Sequence, residues 1–324
     1  MPEIFPVIDL TPWFEGGGDE RAEVAKQVDE ALRTSGILLV TGHRVPSELR
    51  DRTRAVAREF FRLPADVKGR SSIAFGGRGW IAPRFAEAEG YEGTASMAPD
   101  LKESFSFGAD RVTGDDAVDA RWFRPNTWPA EVPGMRPVVT EYIERMHALS
   151  DELMSLCAVA LGLGADFFAS YLDHPTYGFN FNRYPPVDPT RPPAPGQFNV
   201  APHTDFGTIT VLDREPGPGG LQVYTSEDTW VDAPYVPEAL TVNIGDLLAR
   251  WTGDRWHATR HRVLPPQASA PQDDLISLVY FYETNHNALI ESMEPPIGRT
   301  SFPSVLSHEY LRSRLASIAP KAKH

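Results

Sequence analysis

The sequence predicts an α+β fold with a mainly β core, flanked by helices and preceded by a helical N-terminal region. Two observations carry this. Before Tyr171 apolar residues recur at helical spacing in three long runs; after it, "YGFNFNRYPP", "GTITVL", "GGLQVY", "WVDAP", "ALTVNI", "TRHRVLP" and "LISLVYFYE" are short β-type runs broken by Pro and Gly. Strands in succession without helices between them mark an antiparallel sandwich or barrel rather than βαβ units. The 324 residues are ample for one large core. The expected division is a helical N-terminal region with a lid loop over 1–170, a β core over 171–300 and a C-terminal helix over 301–324, all in a single domain.

Taken in order, "DERAEVAKQVDEALRTSG" (19–36) reads as an amphipathic helix with Val24, Val28, Ala31 and Leu32 on one stripe and Gly36 as its stop. "ILLVTGH" (37–43) reads as a buried strand. A second helix over 46–63 ends before Pro64, and a third runs from about Pro137 to Leu161 and stops at Gly162 and Gly164. Between these two, residues 71–100 are glycine-rich with little periodicity, which predicts a long loop holding one irregular strand; such loops in compact domains often act as lids. In "NIGDLL", Asp246 is placed to cap a strand-to-helix turn. A closing helix over 307–319 is expected to pack Tyr310, Leu311 and Leu315.

Composition excludes several functions. Forty-four acidic against 31 basic residues give a formal charge of −13, with no basic block, so nucleic acid and anionic membrane are poor partners. No apolar stretch approaches the roughly 20 residues of a spanning helix, and "PEIFPVIDL" lacks a secretory n-region and h-region. The single cysteine, Cys157, lies in the apolar "LMSLCAVALGL" and reads as a small buried hydrophobe. A cytoplasmic monomer or weak homodimer acting on a small molecule is the expectation.

His203 and Asp205 in "APHTDFG" are two residues apart, so on a strand both present ligand atoms to one side. Two histidines and one carboxylate suit non-heme iron with open positions. A polar turn ahead of a strand explains the same pair equally well. A third ligand must come from a distant strand, and His261, in the β-type "TRHRVLP", is better placed than His257 in the polar "TGDRWH". His257, His43 and His174 read as surface or internally satisfied histidines.

The ordered set "NRYPP…APHTDFGTIT…GGLQVY…NIGDLL…HRV", with "FPVIDL", "GILLVTGH", "EFFRLP" and "DLKESFSFG" upstream, resembles the isopenicillin N synthase-like family of Fe(II)- and 2-oxoglutarate-dependent oxygenases over most of the chain. The resemblance implies a distorted double-stranded β-helix (jelly roll) over 171–300 with Fe(II) held by His203, Asp205 and His261. It also implies O2 as oxidant, and 2-oxoglutarate as cosubstrate near Asn182, Tyr184 and Ser277. Hydroxylation, desaturation or ring closure at an unactivated C–H bond would follow, on a natural-product intermediate. Apart from the metal ligands, no catalytic residue is nominated.

The sequence departs from the family at one point. Members that use 2-oxoglutarate hold its far carboxylate with an Arg-x-Ser pair on the strand carrying Ser277, and here Leu275 stands in the Arg position. A carboxylate buried against leucine without a cation carries a penalty of several kcal/mol. Arg183 and Arg262 are each offset by one from an inward-facing residue, and strand alternation turns them away. An oxidase of the isopenicillin N synthase type, which needs no 2-oxoglutarate, and a non-catalytic jelly-roll binding protein are the alternative readings. Substrate contacts are expected from Trp80, Phe85 and Tyr91 in the glycine-rich loop, from Phe179 and Phe181, and from Phe281 and Glu283.

Overall fold

The computed structural model describes residues 4–72, 77–83, 100–188, 190, 192–216, 220–266, 272 and 274–318. Strand β1 (Val7–Asp9) and a single turn, α1 (Thr11–Glu15), lead into α2 (Gly18–Thr34). This helix opens where Glu20 reaches back to accept the Gly17 N–H at 2.8 Å, satisfying an otherwise orphan donor. It ends before Gly36, whose φ of 66° and closeness to the His257 carbonyl leave no room for a side chain. Next come β2 (Ile37–Thr41), α3 (Ser47–Phe61), α4 (Ala65–Lys68), β3 (Gly79–Ile81), β4 (Glu103–Gly108), α5 (Asp116–Trp122) and the 26-residue α6 (Met135–Ala160).

The second half supplies β5 (Pro175–Tyr184), β6 (Val200–His203), β7 (Ile209–Asp213), β8 (Leu221–Tyr224), β9 (Trp230–Asp232), β10 (Leu240–Ile244), α7 (Asp246–Trp251), β11 (His261–Val263), β12 (Leu275–Asn285), β13 (Leu289–Ile290), β14 (Val305–Leu306) and α8 (Ser307–Ile318). A major sheet has the order β1-β2-β10-β7-β12-β5-β4-β3 and a minor sheet the order β6-β11-β8-β9. Two facing sheets of mainly antiparallel strands, flanked by helices, make the expected jelly roll.

Side-chain alternation assigns each face of the major sheet. On β12, Ile276, Leu278, Tyr280 and Tyr282 are fully buried, and the Tyr282 hydroxyl donates to Asp151 on α6. On β4 and β5, Phe105, Phe107, Phe179 and Phe181 form a ladder with ring centroids 4.9–5.8 Å apart. Tyr142 of α6 adds to it at 5.1 Å from Phe179. Each such ring contributes about 1.5–3 kcal/mol by burial, so this helix-facing layer is the main core. The opposite face carries Asn182 and Tyr184 of β5, Thr210 and Leu212 of β7, Asn243 of β10 and Leu275, Ser277, Phe281 and Glu283 of β12. A small second core, Phe5, Ile37, Leu39 and Val223, fills one end of the space between the sheets.

Helix α3 is tied to the sheet by charge as well as apolar contact. Asp213, fully buried, accepts Arg50 at 2.8 and 2.9 Å and also Arg54. Arg58 binds Glu215 at 2.6 Å. Two sequence expectations change. Leu315 is 38% exposed, so α8 packs through Leu311 and Tyr310. Asp246 caps nothing; its carboxylate instead takes Arg314 of α8 at 2.7 Å. Among the described residues no helix is long and apolar enough to cross a membrane.

Candidate metal centre

Pairing of β6 with β11 sets His203 directly opposite His261. Asp205 lies just beyond β6, where its carbonyl accepts the Asp246 N–H at 2.8 Å and pins the loop to the start of α7. The Nε2 atoms of His203 and His261 are 3.6 and 3.8 Å from Asp205 Oδ1, and one ligand atom from each residue lies within 4.8 Å of the others. His261 of β11 is thus brought to His203 and Asp205, and the three form a group that could hold a metal ion.

Each imidazole is locked from behind. Nδ1 of His203 faces the Ala201 carbonyl at 2.8 Å, and Nδ1 of His261 faces the Thr259 carbonyl at 3.0 Å. Because a carbonyl only accepts, both Nδ1 atoms carry a proton, and both Nε2 atoms are turned towards the common centre. Burial and the neighbouring His261 hold the His203 imidazole neutral, well below its usual range. Burial pushes the Asp205 carboxyl upward, but His261, His203 and hydrogen bonds from Asn243 and Thr210 prevail and hold it below its usual range. Asn243 Nδ2 donates to Oδ2 at 2.8 Å. Two imidazoles beside an ionised carboxylate are the donor set of a divalent transition metal.

The surroundings are polar and closely fitted. Glu283, on β12, is half-buried beside Gly207; any side chain at Gly207 would overlap its carboxylate. Burial, then the charge of Asp205, pushes the Glu283 carboxyl up to about 8. Lys102, just ahead of β4, is half-buried near Asp100 and Asp205, and desolvation holds its ammonium below its usual range. Arg314 of α8 lies over the Phe206 ring at 4.8 Å, closing the C-terminal helix onto the metal loop.

A cleft between the sheets is lined by Tyr184, Leu212, Arg214, Val263, Leu275 and Ser277 among others. The Tyr184 hydroxyl shares hydrogen bonds with Ser277 and Asn182, and burial pushes its phenol up to about 12. Asn182 also accepts the Ser104 hydroxyl at 2.7 Å. Asn182, Tyr184 and Ser277 therefore come together on one face.

The expected substrate residues divide. Phe281 and Glu283 share the cleft face of β12. Phe179 and Phe181 belong instead to the ring ladder under α6, because odd-numbered positions of β5 face the helices. Trp80 is also in that layer: it is 7% exposed, its indole donates to Glu103 at 3.0 Å, and Lys68 lies over its ring. Phe85 and Tyr91 lie outside the described residues. Arg183 and Arg262 turn away as expected, Arg183 to Glu103 and Asp274 at 2.7 Å each, Arg262 to Gln222 at 2.8 Å. His43 is internally satisfied, by the Glu238 carbonyl and the Val45 N–H. Sequence reasoning passed over Asn243, Thr210, Lys102 and Arg214. The signal available for three of them was a polar residue at alternate positions, Thr208, Thr210 and Arg214 around Leu212 in "TITVLDR" and Thr241 and Asn243 in "ALTVNI".

A facial set of two histidines and an aspartate inside a jelly roll defines the class of mononuclear non-heme metal proteins. Residues 5–131 match the family model described as the non-haem dioxygenase in morphine synthesis N-terminal region, and residues 176–284 match that of the 2OG-Fe(II) oxygenase superfamily. The chain is 42% identical over 297 residues to validamycin A dioxygenase of Streptomyces hygroscopicus subsp. limoneus, covering 90% of this chain and 80% of that one. A 2-oxoglutarate-dependent dioxygenase of Talaromyces stipitatus is 29% identical, with 99% and 98% covered. A full-length Neurospora crassa protein, crystallised in complex with alpha-KG and thymine, superposes with a TM-score of 0.84 at 29% identity, covering 97% of this chain and 96% of that one.

The chain belongs to the 2OG-Fe(II) oxygenase superfamily. It is an Fe(II)- and 2-oxoglutarate-dependent dioxygenase, and the cosubstrate-free oxidase and the non-catalytic binding protein give way to that reading.

Proposed function

We propose that His203, Asp205 and His261 hold Fe(II), and that 2-oxoglutarate and O2 are used there to oxidise a C–H bond of a small natural product. The observation that carries this is the converging triad with both Nδ1 atoms locked, which leaves three ligand atoms aimed at one point. Bound iron and its cosubstrate supply the oxidising power: one O2 and one 2-oxoglutarate are consumed, succinate and carbon dioxide leave, and R–H becomes R–OH.

The chain's own residues position and exclude. Asn243 and Thr210 fix the Asp205 carboxylate so that one oxygen stays free for the metal. Helix α8, through Arg314 to Asp246 and Phe206, covers one side of the centre and limits water. Glu283 shares the cleft face of β12 with Phe281, which sets a carboxyl and an apolar ring side by side for a polar substrate. The 42% identity with validamycin A dioxygenase supports a natural product of that kind as substrate. Cys157, buried with its thiol pushed up to about 12 by burial, takes no part, and the lone thiol suits a reducing cytoplasm.

The test is anaerobic addition of Fe(II) and 2-oxoglutarate, followed by oxygen with candidate substrates. A visible metal-to-ligand charge-transfer band and then stoichiometric succinate are expected. Oxygen consumption with substrate but neither band nor succinate would refute the cosubstrate's role.

A further inference from the structure

We propose that Arg214 anchors the distal carboxylate of 2-oxoglutarate, one strand away from the position that Leu275 leaves without charge. This rests on the reading that 2-oxoglutarate binds at the metal. The cosubstrate is a dicarboxylate whose keto end meets the metal, so its other end needs a cation inside the cleft. Strand β7 carries Thr210, which hydrogen-bonds Asp205, and Leu212 on one face, and the same alternation continued one residue past its end at Asp213 reaches Arg214. It therefore leads from the metal along the cleft wall.

The pairing of Asp213 with Leu278, continued by one residue, sets Arg214 opposite Ser277. Opposed residues of an antiparallel pair share a face, and both line the cleft together with Tyr184 and Leu275. The arginine is thus beside the Ser277 hydroxyl although it comes from a different strand.

Its charge is also available. No carboxylate among the described residues lies within ion-pair distance of Arg214; its guanidinium donates only to the Ala233 carbonyl at 3.4 Å and the Pro234 carbonyl. Glu215, the other charged residue of the cleft wall, is committed to Arg58 at 2.6 Å and the Ile276 N–H at 2.7 Å. A half-buried cation met only by carbonyl dipoles, in a pocket that Ser277 and Tyr184 also line, is a carboxylate site.

The test is anaerobic titration of the Fe(II)-loaded protein with 2-oxoglutarate and with 2-oxopentanoate, which replaces the distal carboxylate by a methyl group. The charge-transfer band reports binding without turnover. Wild type should prefer 2-oxoglutarate, and Arg214→Leu should weaken its binding by at least about 30-fold, the loss from truncating one partner of a buried charge pair. Binding of 2-oxopentanoate to the same variant should be unchanged, which also shows that the fold and the metal site survive. Arg214→Lys should retain part of the preference, and Leu275→Arg added to Arg214→Leu should restore it. Binding of 2-oxoglutarate to Arg214→Leu within threefold of wild type would overturn the assignment alone. A wild-type protein that binds Fe(II) but no 2-oxoglutarate would overturn the cosubstrate reading, and the assignment with it.

Discussion

Asn243→Leu tests how the centre is held, because it removes the donor to Asp205 while keeping the side chain's volume. Asn243 is 5% exposed and donates at 2.8 Å to Oδ2, the oxygen left over when Oδ1 faces the two imidazoles. A hydrogen bond to a charged acceptor is worth about 1.5–3 kcal/mol, and Thr210 remains to hold the carboxylate in part. The expected loss in Fe(II) affinity is therefore about 10- to 100-fold, as for other outer contacts of metal ligands.

The pH dependence gives the same perturbation a sign. In the folded chain the Asp205 carboxyl is held below its usual range, so its ionised form contributes above its ordinary pKa and is lost as pH falls through the folded value. Removing one donor raises that folded value, so metal binding in Asn243→Leu should fail at a higher pH than in wild type. The assay is anaerobic calorimetric titration with Fe(II) at several pH values, paired with circular dichroism. An affinity within twofold of wild type at every pH, in a variant that keeps its fold, would refute the role given to Asn243.

Alanine at His203, Asp205 or His261 should abolish Fe(II) binding and turnover, and any one of these variants with full iron-dependent activity would exclude that residue from the ligand set. Glu283 has its carboxyl raised to about 8 by burial and then by Asp205. Ionisation is therefore easier in the unfolded chain, and stability of the metal-free protein should fall as pH rises from about the ordinary value towards 8. Glu283→Gln should flatten this slope in urea titrations, and an unaltered slope would count against it. Asp213→Leu should destabilise the fold by about 3–5 kcal/mol, because it strands Arg50 and Arg54 against a buried apolar wall. A loss below about 1 kcal/mol in urea denaturation would mean that the two guanidinium groups find other partners.

Much of the fold is legible because its signals are local. The stripe of Val24, Val28, Ala31 and Leu32 gives α2, and the glycine past it gives its end. Alternation along "LISLVYFYETN" separates a core face from a cleft face. The candidate metal ligands need only the two-residue step from His203 to Asp205 and a histidine on a later strand. What is not legible depends on strand pairing. Phe179 and Phe181 alternate with Asn182 and Tyr184, but the sequence does not say which parity meets the helices, so sequence alone sends them to the substrate rather than to the ring ladder. Trp80 is misplaced for the same reason. Arg214 is 61 residues from Leu275 in the chain, and only the register of β7 against β12 makes them neighbours.

That register has a safeguard of its own. Asp213, Arg214 and Glu215 are consecutive and alternately face the arginines of α3 and the cleft. If the strand were threaded one residue out of step, Arg214 would meet Arg50 and Arg54, and an acid would replace the cation in the cleft. The first change sets like charges together, so the segment works as a parity check on its own assembly. The helix that packs on the outside of the barrel thereby determines which sign of charge awaits a ligand on the inside.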